Sequence, residues 1–223
     1  MVRFSVFSKA FRLRMVRGTF VVFTLVLLCG LAAAPLAHAQ KLSLEKTWGG
    51  TNGDYGRGVA VDDSGNNTYV TGYTDSFGAG ANDVVLLKYD SSGGVVWQKT
   101  WGGNNTEYGL GVAVDGPGNN IYVTGYTNSF GAGGDDVLLL NFNSAGTLQW
   151  QKTWGDAGVD RGYGVAVDDF GNNIYVTGCT SFGAGDYDVV LLKFNSTDGG
   201  LVWQKTWGGY DKDEGYGVAV DGS

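Results

Sequence analysis

Acidic side chains that recur at a fixed spacing are the groups of this chain best suited to chemistry. Two series repeat every 53 residues, one at Asp54, Glu107, Asp160 and Asp213, the other at Asp62, Asp115, Asp168 and Asp221. Two carboxylates about 5 to 10 Å apart would suit glycoside hydrolysis, and several oxygen ligands would suit calcium. A catalytic pair breaks the symmetry of a repeat, whereas these acids obey it. We therefore predict that they hydrogen-bond loop backbone or end strands.

Other catalytic chemistry lacks its usual side chains. The one histidine, His38, and one of the two cysteines, Cys29, lie within the first 39 residues, which we expect to be removed as described below. Cys179 is then the remaining cysteine. A serine or cysteine nucleophile needs a neighbouring base, usually histidine, and zinc sites draw on His and Cys. We predict no catalytic residue, no metal site and no cofactor, with calcium as the ion to test. Cys179 occupies the position of Tyr73 and Tyr126 in other copies, so it is interpreted as a strand filler.

The first 39 residues have the pattern of a secretory signal peptide. Basic residues precede an apolar stretch from Thr19 to Leu36, and Ala37-His38-Ala39 follows it. This order is typical of a signal peptide that is cleaved before Gln40. The alternative is an uncleaved membrane anchor, because the apolar stretch is long enough to span a bilayer. The small residues at its end favour cleavage, since a signal peptidase requires them and an anchor does not. We expect a secreted or cell-surface protein in which residues 40–223 form the functional domain.

The charge balance narrows the class of partner. The chain has 15 Lys and Arg, 22 Asp and Glu, and a formal net charge of −7. Five of the basic residues and none of the acidic ones lie within residues 1–39, so removal of that segment leaves a more acidic chain. Such a balance disfavours nucleic acid and, after cleavage, anionic membrane surfaces as partners. It permits basic proteins or cations.

A tryptophan motif sets the period of the whole domain. Trp48, Trp101, Trp154 and Trp207 are again spaced by 53 residues. Each full unit contains four runs of β-branched and aromatic residues, separated by Gly, Asn and Asp turns, and no run has helical spacing. Four-stranded units of this length are typical of propeller blades, and a coiled β-solenoid is the alternative. We predict an all-β propeller of four-stranded antiparallel blades.

The unit boundaries predict a partial propeller. Three whole units span 58–101, 111–154 and 164–207, with an orphan strand at 42–48 before them and another at 217–221 after them. These orphan strands would form a split fourth blade. Open sheet edges invite pairing, so we expect either a chain that is part of a longer one or association of copies that closes the ring.

Residue size supports blades rather than a solenoid. The first strand of a unit is built small, as in Gly58-Val59-Ala60-Val61, which suits a crowded propeller axis. The last strand carries Trp97 and Trp101, which share one face and can fill the wider space between blades. The run from Val84 to Leu87 is apolar without alternation, as expected for a strand covered on both faces.

The motifs resemble a known repeat family. Gly-Val-Ala-Val-Asp, then Tyr-Val-Thr-Gly-Tyr-Thr, then Asp-Val-Val-Leu-Leu-Lys and a tryptophan strand recur in register over about residues 41–223. This pattern is similar to the bacterial and archaeal beta-propeller repeat named for seven-bladed propellers, the SBBP-type repeat. The resemblance implies a propeller fold and a secreted or surface setting, and it implies no catalytic residues. The chain departs from the family pattern in its blade number.

Variable residues cluster on one predicted face. The loop before strand one and the loop between strands two and three emerge on the same side of a blade, and variation on a fixed scaffold is typical of binding surfaces. Equivalent positions there hold Tyr55, Tyr108, Arg161 and Glu214, and again Arg57, Leu110, Tyr163 and Tyr216. The predicted ligand-binding set is Asp54, Tyr55, Arg57, Asp83, Glu107, Tyr108, Asp136, Asp160, Arg161, Tyr163, Asp188, Asp213 and Tyr216.

The sequence favours a non-enzymatic binding scaffold whose ligand is a protein, a glycan or a cation. A carbohydrate-active propeller enzyme that uses paired carboxylates is the second hypothesis, although no pair without counterparts in other units stands out. A purely structural envelope or adhesion module is the third.

Overall fold

The chain folds into twelve strands of seven or eight residues each, counted over the residues that the structure describes. The computed structural model describes residues 46–183 and 185–221, so the predicted signal peptide and residues 42–45 of the first orphan strand lie outside it. Over the described ranges, no helix is long and apolar enough to cross a membrane. The strands are β1 Asp54–Val61, β2 Asn67–Thr74, β3 Asp83–Asp90, β4 Val95–Trp101, β5 Glu107–Val114, β6 Asn120–Thr127, β7 Asp136–Asn143, β8 Leu148–Trp154, β9 Asp160–Val167, β10 Asn173–Thr180, β11 Asp188–Asn195 and β12 Leu201–Trp207.

The strands form three separate four-stranded antiparallel sheets. Their orders are β1-β2-β3-β4, β5-β6-β7-β8 and β9-β10-β11-β12, so each sheet is a simple meander. We call them blades 1, 2 and 3. The predicted all-β fold with four-stranded blades is confirmed. Each first strand begins four residues earlier than the sequence predicts, because the residues of the preceding loop already pair with the second strand, as Asp54 does with Thr74.

The turn between the first two strands depends on an aspartate and a glycine. Gly65 has a φ of 67°, a left-handed backbone conformation that residues with a side chain rarely adopt. The Asp62 carboxylate accepts hydrogen bonds from Ser64 Oγ at 2.7 Å, Asn66 N at 3.2 Å and Asn67 Nδ2 at 2.5 Å. Asp115 and Asp168 make the equivalent backbone contacts in the other blades. The predicted loop-binding role of these acids is therefore confirmed.

The hydrophobic core lies between blades. One cluster joins Tyr69, Val84 and Leu86 of blade 1 to apolar residues of blade 2, and another joins blade 2 to blade 3. In β7, Leu138 packs toward blade 1 while Leu139 packs toward blade 3. Both faces of the third strand are therefore covered, which explains its unbroken apolar run.

The tryptophans of the fourth strands tie each blade to the next. Trp101 Nε1 donates to Gln151 Oε1 at 2.9 Å, and Trp154 Nε1 donates to Gln204 Oε1 at 2.9 Å. Trp97 Nε1 donates to the Ser144 carbonyl oxygen at 3.1 Å. These indoles also pack against the interblade clusters. The interpretation of the tryptophan strand as packing between blades agrees with these contacts.

The first strands of neighbouring blades approach so closely that glycine is required. A Cβ at Gly58 would lie 3.1 Å from the Leu110 carbonyl oxygen, and one at Gly111 would lie 2.9 Å from the Tyr163 carbonyl oxygen. The distance at Gly111 is shorter than real Cβ atoms show, and the distance at Gly58 is tighter than most of their contacts. A side chain at Gly111 would therefore force the two blades to shift. The small first strand predicted from sequence has this physical cause.

Residues 213–221 follow blade 3 where a further first strand would lie. Asp213 N donates to the Tyr187 carbonyl oxygen at 2.7 Å and Gly215 N donates to the Gly178 carbonyl oxygen at 3.1 Å. The sequence predicts a strand at 217–221, but the structure has none there. The physical reason is that a strand requires a hydrogen-bonded neighbour, and the described residues provide no second strand beside this segment.

Gly111→Ala should lower the free energy of unfolding by about 1–3 kcal/mol, because the new Cβ meets backbone of the next blade. Gly217→Ala is the matched control, since no atom lies within 4 Å of its Cβ position. Urea unfolding of both variants beside the parent chain measures the difference. Equal losses for the two variants would contradict close approach at Gly111.

Candidate functional site: the tyrosine arc

Each first strand contains a β-bulge at its most variable position. The register with the second strand shifts between Gly56 and Gly58 and between Gly109 and Gly111, which leaves Arg57 and Leu110 without a partner across the ladder. Tyr163 is the extra residue in β9. Bulges re-aim side chains and are common beside functional sites. In each first strand, the bulge therefore presents one side chain that differs from blade to blade.

A glycine opposite the bulge makes room for it. A Cβ at Gly72 would collide with the Tyr55 carbonyl oxygen, and Gly125 and Gly178 face the same contact in the other blades. The Gly of the Tyr-Val-Thr-Gly motif is therefore required by the first strand beside it.

Side chains at and beside the bulges make ring and guanidinium contacts within and between the three blades, and we call this set the tyrosine arc. It consists of Tyr55, Arg57, Tyr73, Tyr108, Tyr126, Arg161, Tyr163 and Tyr216.

The arc begins with stacked rings in blades 1 and 2. Tyr55 stacks on Tyr73 with ring centroids 4.7 Å apart, and Tyr108 stacks on Tyr126 at 4.8 Å. Tyr73 meets Tyr108 edge to face at 4.1 Å across the blade junction. Arg57 Nη2 donates to Tyr73 Oη at 2.9 Å. Offset and edge contacts of this kind are favoured by the ring quadrupoles, so the rings hold one another in place.

Arg161 continues the arc into blade 3. Its guanidinium lies 4.7 Å from the centre of the Tyr126 ring and donates to Asp135 Oδ2 from both Nε, at 2.8 Å, and Nη2, at 2.5 Å. Burial alone would lower the pKa of Arg161, but the hydrogen bonds and charge of Asp135 outweigh it and raise the pKa. Burial raises the pKa of Tyr126 to about 12. Arg161 therefore stays cationic and Tyr126 neutral.

The far end of the arc is organised by Glu214. Its carboxylate accepts a hydrogen bond from Tyr163 Oη at 2.9 Å and one from Tyr216 Oη at 2.5 Å, and it lies 3.2 Å from Lys212 Nζ. The two tyrosine rings stack with centroids 5.1 Å apart. Burial alone would raise the pKa of Glu214, but the hydrogen bonds from Tyr216, Tyr163 and Lys212 lower it.

Cys179 lies beneath this end of the arc. Its Sγ is 3.4 Å from Tyr163 Oη, and its side chain is fully buried. Burial also raises the pKa of the thiol. A thiol that is protonated and shielded is a poor nucleophile, so the geometry fits its interpretation as a strand filler.

The acids that begin the first strands bind their own loops. Glu107 accepts hydrogen bonds from Gly103 N at 2.7 Å and Thr127 Oγ1 at 3.0 Å, and it is fully buried. Asp54 and Asp213 make the same contact with the backbone of the loop four residues earlier. Asp160 does so through Asp156 N at 2.9 Å. This repeated contact fixes the loop that leads into each blade.

A second set of acids is buried at the start of the third strands. Asp83, Asp136 and Asp188 are 2%, 1% and 5% exposed. Asp83 accepts from Gly80 N at 3.1 Å and Asp136 from Ala132 N at 3.0 Å. The Asp83 and Asp136 carboxylates therefore bind loop backbone instead of facing the surface.

The two sets of acids meet at the blade junctions. A Cβ at Gly155 would lie 2.6 Å from an oxygen of Asp136 and from an oxygen of Asp160. Burial and, after it, neighbouring acids including Asp136 raise the pKa of Asp160. No group of three or more His, Cys, Asp or Glu suited to a metal occurs among residues 46–183 and 185–221, and calcium prefers six to eight oxygens.

The structure thus divides the predicted binding set in two. Six members lie together in the arc: Tyr55, Arg57, Tyr108, Arg161, Tyr163 and Tyr216. Six of the seven acids accept hydrogen bonds from loop backbone, and the seventh, Asp188, is 5% exposed. Sequence reasoning missed Tyr73, Tyr126 and Asp135. The hairpin register was the available signal, because Tyr73 is directly opposite Tyr55 and Tyr126 is directly opposite Tyr108.

Three segments, residues 48–78, 101–131 and 153–183, match the family model described as the SBBP beta-propeller repeat. The chain thus carries three SBBP beta-propeller repeats. Each SBBP match starts at or beside the second tryptophan of a unit and runs through the first two strands of the next blade. It therefore includes the bulge and the loops that carry the tyrosine arc.

Parts of this chain are similar to known proteins. Regulatory protein FlaEY of Caulobacter vibrioides is 28% identical over 187 residues, which cover 70% of this chain and 19% of FlaEY. The chain thus spans less than a fifth of that relative. The solved structure of U3-55K has a TM-score of 0.47 at 13% identity and covers 67% of this chain and 38% of its own. The Pseudomonas aeruginosa periplasmic gluconolactonase PpgL has a TM-score of 0.42 at 12% identity, with 69% and 42% covered.

Glu214→Gln should destabilise the protein near neutral pH and much less in acid. The lowered pKa of Glu214 means that its carboxylate stabilises the fold above the ordinary glutamate pKa of about 4.3 and loses this effect as pH falls through the lowered value. Thermal unfolding of both chains from neutral pH to below 4 measures the gap in Tm. Phe170→Ala, a non-ionising control, should show a constant gap. A gap for Glu214→Gln that stays constant would contradict the assignment.

Proposed function

We propose that this SBBP chain is a secreted or cell-surface binding scaffold without enzymatic activity, and that the tyrosine arc is its ligand surface. One observation supports this above the others. The side chains of the arc contact one another, and all of them except Tyr216 lie on strands, yet Tyr55 remains 51% exposed and Tyr216 69% exposed. Rigid aromatic side chains supply contact area with little loss of conformational entropy on binding.

The chemistry of the arc favours a protein or a glycan rather than a bare cation. Tyrosine and arginine, together with tryptophan, are enriched at binding hot spots. Arg57 is exposed beside the Tyr55 ring, with its guanidinium carbon 5.9 Å from the ring centre. A cation would meet this positive charge, whereas the buried acids are occupied by their loops. The ligand therefore carries apolar faces together with hydrogen-bond acceptors or negative charge.

The buried acids also argue for a scaffold rather than a carbohydrate-active enzyme. Glycoside hydrolysis requires both carboxylates to reach the scissile bond. The junction acids Asp136 and Asp160 are 1% and 0% exposed, so a sugar would not reach them without opening a blade junction. A purely structural module would lack a ligand for the arc, and the binding experiment below separates it from a scaffold.

Export is supported by the sequence of residues 1–39, with its basic start, apolar middle and small residues before Gln40. We expect the exported protein to begin at Gln40. Mass spectrometry of the intact protein, collected outside the cytoplasm of an expressing bacterium, measures this terminus. Recovery of a chain that retains residues 1–39 in the membrane fraction would contradict cleavage.

Tyr55→Ala and Tyr216→Ala should each weaken ligand binding about tenfold or more, because each removes an exposed ring of the arc. A glycan and protein array first identifies a ligand for the parent chain, and titration calorimetry then gives the Kd of each variant. Phe170→Ala is the control, since Phe170 is 75% exposed and lies between β9 and β10, away from the arc. No array ligand, or equal losses for all three variants, would reject the arc as the binding surface.

A further inference from the structure

Two tyrosine rings meet across the junction of blades 1 and 2. Tyr73 lies on β2 and Tyr108 on β5, and their ring centroids are 4.1 Å apart at an interplanar angle of 69°. The tyrosine pairs within these two blades lie farther apart and are nearer to parallel, Tyr55 with Tyr73 at 4.7 Å and 26°, and Tyr108 with Tyr126 at 4.8 Å and 28°. The contact between the blades is therefore the closest and the most steeply inclined of the three.

Neighbouring side chains hold both rings at this junction. Arg57 Nη2 donates to Tyr73 Oη at 2.9 Å, and Tyr55 stacks on the Tyr73 ring. Tyr126 stacks on the Tyr108 ring in the same way. Each ring thus has a partner in its own blade in addition to the ring across the junction, and these contacts keep the two phenols together.

The arrangement of Tyr73 and Tyr108 suits the oxidative coupling of two phenols. Removal of one electron and one proton from a tyrosine hydroxyl gives a phenoxyl radical, whose unpaired electron is shared with the ring carbons beside the C–O bond. Two rings that join through these carbons are twisted about the new bond, not stacked. The short separation and the 69° angle of Tyr73 and Tyr108 resemble this product, whereas the stacked pairs must slide before they can join. Contact in advance favours the reaction because the two groups do not have to diffuse together.

Tyr108 gives an oxidant access to the pair. It is partly exposed, whereas Tyr73 is 9% exposed beneath its neighbours. An oxidant in solution therefore generates the first radical at Tyr108. The nearest phenol ring to that radical is Tyr73, across the junction.

The junction of blades 2 and 3 has no such pair. Tyr126 occupies the position of Tyr73 there, but Arg161 occupies the position of Tyr108 and lies with its guanidinium 4.7 Å from the Tyr126 ring. In blade 3 the position of Tyr73 is taken by Cys179. A guanidinium forms no phenoxyl radical, so of the two junctions between blades 1, 2 and 3 the first alone can be linked in this way.

We propose that Tyr73 and Tyr108 are a site of oxidative modification, at which hydrogen peroxide and a haem peroxidase join the two rings as dityrosine. Each hydroxyl loses one electron and one proton, and a bond forms between the ring carbons beside the two C–O bonds. The hydrogen on each joined carbon then moves to its oxygen, which restores both phenols. One molecule of peroxide takes up the two electrons and two protons and becomes two molecules of water. The link ties blade 1 to blade 2, and it does not depend on export or on the ligand proposed for the tyrosine arc.

Treatment of the purified chain with a haem peroxidase and hydrogen peroxide tests this site. The fraction that remains a single chain, isolated by size exclusion, should gain the blue fluorescence of dityrosine and lose the mass of two hydrogen atoms. Trypsin separates the two residues, because cleavage after Lys and Arg leaves Tyr73 in peptide 58–88 and Tyr108 in peptide 100–152. These two peptides should be recovered joined to each other, and their fragmentation should place the link at Tyr73 and Tyr108.

Removal of one hydroxyl at a time separates the coupling from the packing of the rings. Tyr73→Phe and Tyr108→Phe keep a ring but cannot form a phenoxyl radical there, so each should abolish the joined peptides. Tyr69→Phe and Tyr122→Phe are the matched controls, since they lie in the same two peptides and should still give the link. Thermal unfolding before treatment confirms that each variant is folded. The linked parent chain should unfold at a higher temperature than the untreated one, because a bond between residues 73 and 108 constrains the unfolded chain.

The peptide masses distinguish the coupling of other pairs. A link between Tyr55 and Tyr73 joins peptide 47–57 to peptide 58–88, and a link between Tyr108 and Tyr126 lies within peptide 100–152. The proposal is overturned by a single chain without dityrosine, by links that are confined to pairs within a blade, or by a link between peptides 58–88 and 100–152 that persists in Tyr73→Phe or Tyr108→Phe.

Discussion

Packing of one four-stranded sheet against the next is the interaction on which the rest of this structure depends. A meander of four strands has two faces, and neither is stable in water when it carries Val, Leu, Ile and Tyr. Blade 2 buries both faces, with Leu138 toward blade 1 and Leu139 toward blade 3. The stabilisation is about 25 cal/mol per Å² of apolar surface removed from water. Because each repeat depends on its neighbours, stability grows along the array.

Close packing at the axis also creates the candidate site. Gly58 and Gly111 let adjacent first strands approach until backbone meets backbone. The bulge beside each glycine then turns a variable side chain out of the ladder. Tyrosines of different blades consequently come within ring contact, as Tyr73 and Tyr108 do at 4.1 Å. The same constraint that stabilises the fold therefore also assembles the tyrosine arc.

The buried acids show how the fold accommodates negative charge beneath its loops. Glu107, Asp83, Asp136 and Asp160 all accept backbone hydrogen bonds, as Glu107 does from Gly103 N at 2.7 Å, and such bonds offset the cost of removing a charge from water. Where two acids meet at a junction the balance is less favourable, and the pKa of Asp160 is raised. Because this arrangement recurs from blade to blade, we interpret it as structural.

The sequence by itself determined the elements and their period. Alternating and β-branched runs, turn glycines such as Gly65 and the 53-residue spacing of Trp48 and Trp101 define four strands per unit, because strand and turn preferences are local. Six residues of the tyrosine arc were also found this way, from variation between equivalent positions. Tertiary structure alone decided which predicted residues face solvent. Asp83 and Glu107 are buried, Tyr73 joins the arc and Asp135 binds Arg161 of the arc, because contacts across strands and blades place residues together that are distant in the chain.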